Sequence, residues 1–554
     1  MPDKAAQQIF NELLAGYYTA WFRFHPEAAV QAGVHGYEEL LRPYADDQTG
    51  ALISLDEKLL SSLDELDFAA LDLDAQIDFS LLYNATAWEL HQLLDHDWRY
   101  TRPQDFVPVN AIHQLLIRPV ENLHAAFKHR MQQIPDYLRG ARVYLAQHPE
   151  RISADWLHSA IMQARAGVGY FRALQKHPLV MQKFQNPARL QPLCDEAASA
   201  LDDFAHFLQQ DLAPGARGSF ACGAAEFRSL LREKHFLDVE PDALHAFGER
   251  LFNETRAQLQ ALTRDMRGDD DVEQALADIR DDYPRGGPDA VLDAYRHSIR
   301  AASDFIAARQ LVNLPVQQTL KVIHTPEYLR HEIPFAAYEE PCYSDPQQRG
   351  HYYVTPAVSE GHLLAHNRVS IDLTSVHEAF PGHHLQFVTA NQNPVNSLPR
   401  LLNASATLYE GWALYCEDLM QEQGFLDRPE HRLMLLHDRL WRALRVMLDV
   451  ELHCCGLSVE AAAQRMCREL GFTIDEARAD LAWYTQNPGV PMSYATGWAL
   501  IRALREQQAQ QPGFSLKDFH DRLLSVGSCA LPMVICRAFG QDAWLAARRR
   551  VFCD

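Results

Sequence analysis

The feature that most constrains this chain is a helical spacing of apolar residues that recurs through its first three hundred residues. In AAQQIFNELLAGYYTAWFRFHPEAAVQAG, apolar residues return at steps of three and four until Gly33. This spacing puts apolar side chains on one face of a helix, which can then be buried against a neighbouring helix. Prolines and glycines separate such segments, and we find no fixed repeat period, so a helical bundle is favoured over a solenoid.

The pattern changes near residue 312, where short segments rich in aromatic or β-branched residues are bounded by proline or glycine. These segments are LPVQQTLKVIHTP, FAAYEEP and GHYYVTP, and they predict two or three strands of a small sheet. RVSIDLTS is interpreted as a further extended stretch, and helical spacing returns from about Val376. The fold prediction is therefore mainly α, a large multi-helix bundle with a small β-sheet beside the helix that carries the candidate site.

The length of 554 residues exceeds what one hydrophobic core usually supports, so more than one subdomain is expected. The change of pattern predicts a helical N-terminal subdomain, residues 1–310, that forms one wall of a cleft. Residues 311–554 are predicted to form a catalytic subdomain with the small sheet and the metal-binding helices.

Charge and hydropathy limit the partners that this chain is expected to have. It carries 51 Lys and Arg against 73 Asp and Glu, a net charge of −22 that repels phosphate backbones and anionic membranes. The N-terminal MPDKAAQQIFNELL lacks the apolar core of a signal peptide, and no run approaches the roughly 18–20 apolar residues that span a bilayer. We expect a cytoplasmic protein without a nucleic-acid or membrane partner, and the sequence does not indicate an oligomeric state.

The strongest local signal is SVHEAFPGHHLQ, residues 375–386, in which three histidines and a glutamate fall within eight residues. Two histidines four residues apart on a helix can share a zinc ion, with the glutamate beside the metal-bound water. Here the fourth position after His377 is Pro381, and the next histidines come six and seven residues after His377. A second His–Glu pair, residues 331–332, has no histidine shortly after it and is set aside.

Helix geometry discriminates between the two later histidines. On a straight helix His384 would lie about 10 Å beyond His377, too far for one zinc ion with ligands at about 2.0–2.1 Å. The Pro381–Gly382 step can bend the backbone and shorten that path. We therefore prefer His383 as the second metal ligand, with His384 as the alternative. A histidine-rich helix end that hydrogen-bonds to carbonyls or solvent is the competing interpretation.

A third ligand is expected from TLYEGWALYCEDL, because a catalytic zinc takes three protein ligands and leaves one position for water. Glu410 is the candidate ligand. Glu417 lies seven residues later, on the same face of a predicted helix, and is a candidate to orient a ligand or to meet a substrate amine. Two solvated carboxylates on an amphipathic helix would be the alternative.

These segments together resemble a known protein family. HEAFPGHHLQ is similar to the signature of the bacterial family described as domain of unknown function 885, which is grouped with the gluzincin metallopeptidases. GHYYVTP, LYEGWALYCE and PGVPMSYATGWALIRALR resemble further blocks of that family, so the resemblance spans about residues 310–535. LYEGWALYCE is also similar to the segment that carries the third zinc ligand of aminopeptidase N-like enzymes. The resemblance implies one Zn²⁺ ion and peptide-bond hydrolysis, without indicating a substrate.

The mechanism implied by this resemblance assigns roles to two further side chains. Glu378 would take a proton from the zinc-bound water and pass it to the leaving amine. Tyr494, in PMSYATG, would stabilise the oxyanion, because related gluzincins use a tyrosine in that role. A buried tyrosine whose hydroxyl is otherwise satisfied is the alternative for Tyr494.

Substrate contacts are predicted in two places. Tyr352 and Tyr353 lie in the strand-like GHYYVTP, which could bind an extended peptide by edge pairing. Arg445, Asp449 and His453 are spaced four apart and line one helix face. They form either a salt-bridged scaffold or a functional group, in which Arg445 clamps a substrate carboxylate and the Asp449–His453 pair supports the metal site.

The sequence therefore predicts a zinc-dependent hydrolase of peptide or amide bonds, whose partner is a peptide or small amide substrate. One alternative is an amidase that acts on a small-molecule or modified amino-acid amide. Another is a non-catalytic, metal-stabilised binding protein on the same fold. The glutamate at position 378 favours an enzyme, because a binding role does not require a general base.

Overall fold

The structure is a computed structural model that describes residues 3–330, 333, 335–357 and 359–553. The His–Glu pair at residues 331–332 lies outside the described residues. Helices make up 70% of the structure and one three-stranded sheet accompanies them, which confirms the mainly α prediction. None of the helices in the described residues combines the length and the hydropathy of a membrane span.

The contacts of the chain separate into two units, of which the first contains residues 1–220, 327–331 and 342–346. Its helices are α1 (Lys4–Trp21), α2 (Pro26–Ala32), α3 (Asp46–Asp64), α4 (Leu73–Asp95), α5 (Val109–Ile117), α6 (Leu123–Leu145), α7 (Ala154–Ala173), α8 (Pro178–Lys183) and α9 (Gln191–Phe207). The predicted stop at Gly33 is the end of α2, where Gly33 adopts the left-handed conformation at φ 74°. The inward faces of these helices bury one apolar core that includes Ile112, Phe127 and Leu201.

The second unit contains residues 221–326, 332–341 and 347–554. Its helices are α10 (Ala224–Ser229), α11 (Pro241–Arg267), α12 (Val272–Arg280), α13 (Pro288–Arg309), α14 (Glu360–Ala365), α15 (Arg368–Glu378), α16 (His383–Gln392), α17 (Leu398–Leu402), α18 (Ala406–Glu422), α19 (Pro429–Cys454), α20 (Val459–Leu470), α21 (Ile474–Gln486), α22 (Ser493–Gln508), α23 (Leu516–Leu524), α24 (Leu531–Phe539) and α25 (Gln541–Phe552). Residues 310 and 311, where the sequence predicted the boundary between subdomains, lie inside this unit. In this unit α11, which precedes the predicted boundary, packs along α19, which follows it. The cleft wall assigned to residues 1–310 stays a prediction.

The sheet lies in the second unit and consists of β1 (Thr319–His324), β2 (Ala336–Glu339) and β3 (Arg349–Val354). Their order is β1–β3–β2, with β1 parallel and β2 antiparallel to β3. β1 and β2 fall inside two of the three segments that the sequence singled out, and β3 begins one residue before the third. The middle strand, β3, is the most buried, and Tyr352 pairs with Val322 on one side and Tyr338 on the other.

The prediction of a further extended stretch in RVSIDLTS was wrong, because this segment forms most of α15. The side chain of Asn367 accepts a hydrogen bond from the Ser370 N–H at 2.9 Å and so starts the helix. Val369, Ile371 and Leu373 alternate as in a strand, but all three are buried in the helical conformation. A helix that is packed on several sides loses the simple periodicity that distinguishes a helix from a strand.

Two glycines allow α18 and α22 to cross closely. A Cβ atom on Gly411 would lie 2.6 Å from the Cα atom of Gly497, and one on Gly497 would lie 2.1 Å from the Thr407 carbonyl oxygen. Larger residues at this crossing would separate the helix axes. The close crossing brings the start of α22, with Tyr494, beside the face of α18 that carries Glu410.

Candidate metal centre

The candidate site is built around a break between two helices. α15 ends at Glu378 and α16 begins at His383, so the four residues between them leave the helical path. The N–H of Gly382 turns back to the Val376 carbonyl at 3.0 Å. Trp412 fixes the break from outside, because its indole N–H donates to the Pro381 carbonyl at 2.8 Å.

Glycine is required at position 382 by close approach of the backbone. A Cβ atom there would lie 1.8 Å from the His377 carbonyl oxygen and 2.5 Å from the Val376 carbonyl oxygen. Both of these are backbone atoms of the preceding helix and cannot rotate away. The chain can therefore fold back against the end of α15, which brings His383 beside His377.

Two buried histidines and a largely buried glutamate converge at this break. His377 Nε2 lies 3.4 Å from Glu410 Oε2, and His383 Nε2 lies 3.3 Å from the same oxygen. The two imidazole rings are nearly perpendicular, with their centroids 4.8 Å apart. A tetrahedral zinc with ligands at about 2.0–2.1 Å has neighbouring ligand atoms about 3.3–3.4 Å apart, so these spacings fit such an ion.

The charge of the cluster also suits a cation. Glu410 Oε2 is buried and accepts no hydrogen bond of good geometry from the residues that the structure describes. Burial favours a neutral carboxyl, but the nearby His383 and His377 rings hold the pKa of Glu410 well below its ordinary value. Burial likewise opposes a charge on His377, yet Glu410 and Glu417 raise the pKa of His377 to about 10. Carboxylates that stabilise a proton on the imidazole can stabilise a metal cation in its place.

Glu417 sets the orientation of the first histidine. Its Oε1 lies 2.7 Å from His377 Nδ1, and both side chains are almost completely buried. A carboxylate in this position favours the tautomer in which Nδ1 carries the proton, which leaves Nε2 free to face Glu410. The seven-residue spacing of Glu410 and Glu417 on α18 puts both carboxylates against the same imidazole.

Glu378 is the last residue of α15 and directly follows His377. Burial raises the pKa of Glu378 above its ordinary value, although the nearby His383 and His377 rings act in the opposite direction. A carboxyl group whose pKa is raised toward neutrality is better suited to exchange protons in both directions. The structure thus places this carboxyl group beside the histidine cluster.

Tyr494 lies near His377, at the start of α22. The two rings are nearly parallel, with their centroids 6.5 Å apart. Burial and the neighbouring Glu410 carboxylate raise the pKa of Tyr494 well above its ordinary value. The Tyr494 hydroxyl therefore keeps its proton, and the Glu410 carboxylate is a hydrogen-bond acceptor beside it.

Asp449 and His453 lie on α19 and contact the segment that leads to Tyr494. The buried Asp449 carboxylate accepts the N–H of Gly489 at 3.2 Å and the N–H of Met492 at 3.1 Å. His453 Nε2 lies 3.1 Å from the Tyr484 carbonyl oxygen and 3.9 Å from Asp449. This pair thus holds backbone before α22, and neither residue belongs to the ligand cluster.

Arg445 also lies on α19 and is buried. Its Nε donates to the Tyr484 hydroxyl at 2.7 Å and its Nη2 donates to Asp480 Oδ1 at 3.1 Å. Its guanidinium carbon lies 4.2 Å from the centre of the Trp441 ring. The sequence predicted that Arg445 forms a salt-bridged scaffold with Asp449 and His453. Arg445 instead forms its ion pair with Asp480 on α21. A role for Arg445 in binding a substrate carboxylate stays a prediction.

The two tyrosines of β3 have different surroundings. Tyr352 is fully buried and packs edge-on against Tyr295, with ring centroids 5.5 Å apart, while the Tyr353 hydroxyl donates to Glu339 at 2.8 Å. The expectation that this segment binds a peptide by edge pairing was wrong, because β3 is the middle strand and is paired on both sides. A substrate role for the side chains of Tyr352 and Tyr353 stays a prediction.

His384 points away from the ligand cluster. Its Nε2 lies 2.8 Å from Gln318 Oε1 and its Nδ1 lies 3.0 Å from the Tyr338 hydroxyl, so it ties α16 to the sheet. Burial lowers the pKa of His384 to about 3, which keeps the ring neutral. The structure thus brings His383, and not His384, together with His377 and Glu410.

Sequence reasoning missed the residues that hold this arrangement in place. Gln318 and Tyr338 fix His384, Asp480 holds Arg445, and Trp412 holds the helix break. Each contact joins residues that are at least thirty positions apart in the chain. A pattern of neighbouring residues therefore cannot indicate it.

The fold and the site define a mainly α-helical protein in which two histidines and a glutamate converge beside a small mixed sheet. The chain belongs to the family of bacterial proteins of unknown function designated DUF885, whose profile matches residues 26–535. That match confirms the family expected from the sequence motifs.

Two solved structures share this fold. One, from Shewanella oneidensis, is described as a putative lipoprotein of unknown function; it has 21% sequence identity and a TM-score of 0.76, and the match covers 95% of this chain and 98% of that one. The other, described as a putative lipoprotein from Colwellia psychrerythraea, has 18% identity and a TM-score of 0.78, with 99% of each chain covered. No curated protein matches the chain.

Proposed function

We propose that this protein is a gluzincin-like metallopeptidase, a hydrolase of peptide or amide bonds that holds one zinc ion on His377, His383 and Glu410. The observation that supports the proposal most strongly is the spacing of 3.3 and 3.4 Å between the ligand atoms, which suits tetrahedral zinc. Two nitrogens and one carboxylate oxygen are the donor set of several catalytic zinc sites. Glu378 lies at the chain position next to the first ligand, which adds a general base.

Zinc bound there would supply Lewis acidity, which polarises the scissile carbonyl and lowers the pKa of water toward about 7. Glu378 accepts the proton of the attacking water and delivers it to the leaving nitrogen, a role that its raised pKa favours. Tyr494 donates its hydroxyl proton in a hydrogen bond to the oxygen on which negative charge develops. Glu417 keeps His377 in one tautomer throughout.

The decisive experiment compares Glu378→Gln with wild-type protein after zinc loading. We expect the variant to retain one zinc ion per chain, measured by elemental analysis, and to lose hydrolysis of a mixed peptide library by at least about 100-fold. Glu254→Gln, an exposed change on α11, is the matched control and should behave as wild type.

Three other results would overturn the proposal or redirect it. Equal hydrolysis by wild type and Glu378→Gln would exclude the proposed base. Cleavage of small amino-acid amides without cleavage of peptides would support the amidase alternative. Stoichiometric zinc with no hydrolysis of either substrate class would support a metal-stabilised binding protein.

The cytoplasmic location also stays a prediction. The two structures of similar fold are described as lipoproteins of unconfirmed status, which makes the compartment worth measuring directly. Fractionation of cells that express the native gene, followed by immunoblotting, would assign the protein to the cytoplasm or to the envelope. Recovery in the membrane fraction would contradict the prediction.

A further inference from the structure

Arg445 makes one contact that the proposed chemistry has not used. Its guanidinium carbon lies 4.7 Å from the centre of the Tyr494 ring, within the range of a cation–π interaction. In the proposed function, Tyr494 donates the hydrogen bond that stabilises the oxyanion. The buried arginine therefore contacts the tyrosine to which the proposed function assigns this role.

The arginine is itself held rigidly on the side away from that ring. Asp480 and Tyr484, both on α21, accept from two of its nitrogens, and Tyr484 also donates to Asp480. The Trp441 indole N–H donates to Asp480 at 2.9 Å, and the Trp441 ring packs on the guanidinium. A guanidinium held by this many partners has a defined plane, so a ring that contacts it gains a defined position.

The same network argues against a carboxylate clamp. The carboxylate of Asp480 already forms an ion pair with Arg445 at 3.1 Å, in a partly buried position. A substrate carboxylate would have to approach beside Asp480, where two like charges repel each other. The charge of Arg445 is therefore largely matched within the protein.

We propose that Arg445 is a positioning residue for Tyr494. It contacts the tyrosine ring, while Asp449 holds the backbone at Gly489 and Met492 just before the same residue. Ring and backbone are thus restrained separately, which fixes the direction of the Tyr494 hydroxyl. The inference rests on the proposed function for its kinetic consequence, but the ring contact can be tested without any activity.

The structural test uses zinc-loaded protein and metal-free protein labelled with 3-fluorotyrosine. The Tyr494→Phe variant identifies the ¹⁹F signal of Tyr494 by its absence. Arg445→Met should shift or broaden that signal, and Arg445→Lys should do so less, because lysine keeps a charge but not the planar fork. Arg502→Met is the matched control, since Arg502 lies on α22 over the Trp498 ring and should leave the Tyr494 signal unchanged.

The kinetic test is a double-mutant cycle on a cleaved peptide. Arg445→Met should lower kcat about tenfold and change KM less than about twofold, because the loss acts through an oxyanion contact made in the transition state. In the Tyr494→Phe background the same change should have no further effect on kcat. Zinc content and thermal unfolding, measured in parallel, show whether each variant remains folded and loaded.

Each remaining outcome separates this inference from the proposed function. A raised KM confined to substrates with a free terminal carboxylate, persisting in Tyr494→Phe, would show that Arg445 binds substrate and would overturn the positioning role. An unchanged ¹⁹F signal in folded Arg445→Met would overturn it as well. If no substrate is hydrolysed but the signal moves as expected, the positioning contact stands and the hydrolase proposal fails.

Discussion

The replacement of Gly382 by alanine tests the geometry on which the metal centre depends. The new Cβ atom would lie 1.8 Å from the His377 carbonyl oxygen, whereas real Cβ atoms stay about 3.0 Å or more from such atoms. The backbone at this position would therefore have to move by about 1.2 Å. His383 is the next residue, so its imidazole would move with the backbone.

The size of this movement determines the expected effect on zinc binding. Zinc–ligand distances are held within about 0.2 Å, so a displacement of about 1 Å removes His383 from the coordination sphere. Loss of an outer partner of a ligand already costs about 10- to 100-fold in affinity, and loss of the ligand itself should cost at least 100-fold. The overlap with backbone should also lower the free energy of unfolding by about 1–3 kcal/mol.

Competition with a chelating indicator measures the zinc affinity, and elemental analysis after gel filtration measures the stoichiometry. Gly169→Ala is the matched control, because Gly169 lies inside α7 and a Cβ atom added there would have no other atom within 4 Å. That control should bind zinc as wild type does and gain up to about 1 kcal/mol from helix propensity. Wild-type zinc affinity in folded Gly382→Ala would refute the argument from backbone contact.

Three further predictions follow from the same contacts. His383→Ala should abolish stoichiometric zinc binding, whereas His384→Ala should keep it. Elemental analysis of the two variants measures this difference. Zinc loss only in His384→Ala would reverse the ligand assignment. Glu417→Gln should weaken zinc binding about 10- to 100-fold by releasing His377, as read by indicator competition, and an unchanged affinity would exclude the orienting role. Burial lowers the pKa of His520 to about 4, below the unfolded value near 6.5, so its contribution to stability is complete above pH 6.5 and is lost as the pH falls toward 4. Urea unfolding at pH 7.5 and 5.5 should show a loss of about 1.4 kcal/mol from this group, and His520→Gln should show a correspondingly weaker pH dependence.

The local features of this protein can be read from spacing alone. Apolar steps of three and four residues predicted helices in the first unit, and β-branched and aromatic runs predicted the three strands. Pro381 and Gly382 predicted the break after His377, and the seven-residue interval predicted that Glu410 and Glu417 share one face of a helix. These features depend on residues close together in the chain, whose geometry is set by helix and strand periods.

The contacts between distant elements needed the tertiary structure. Both later histidines follow the break, and only the packing of α16 on the sheet turns His384 toward Gln318 and leaves His383 with Glu410. RVSIDLTS alternates like a strand, yet burial on several sides makes it a helix, and the pairing of β3 on both sides leaves it no free edge. From the sequence, Arg445 could belong to a salt-bridged scaffold or bind a substrate carboxylate. The structure shows that it forms a hydrogen bond with Asp480 on α21. A side chain's partner is chosen by which elements pack together, and that choice depends on complementary shape and charge across the whole unit and not on spacing within one segment.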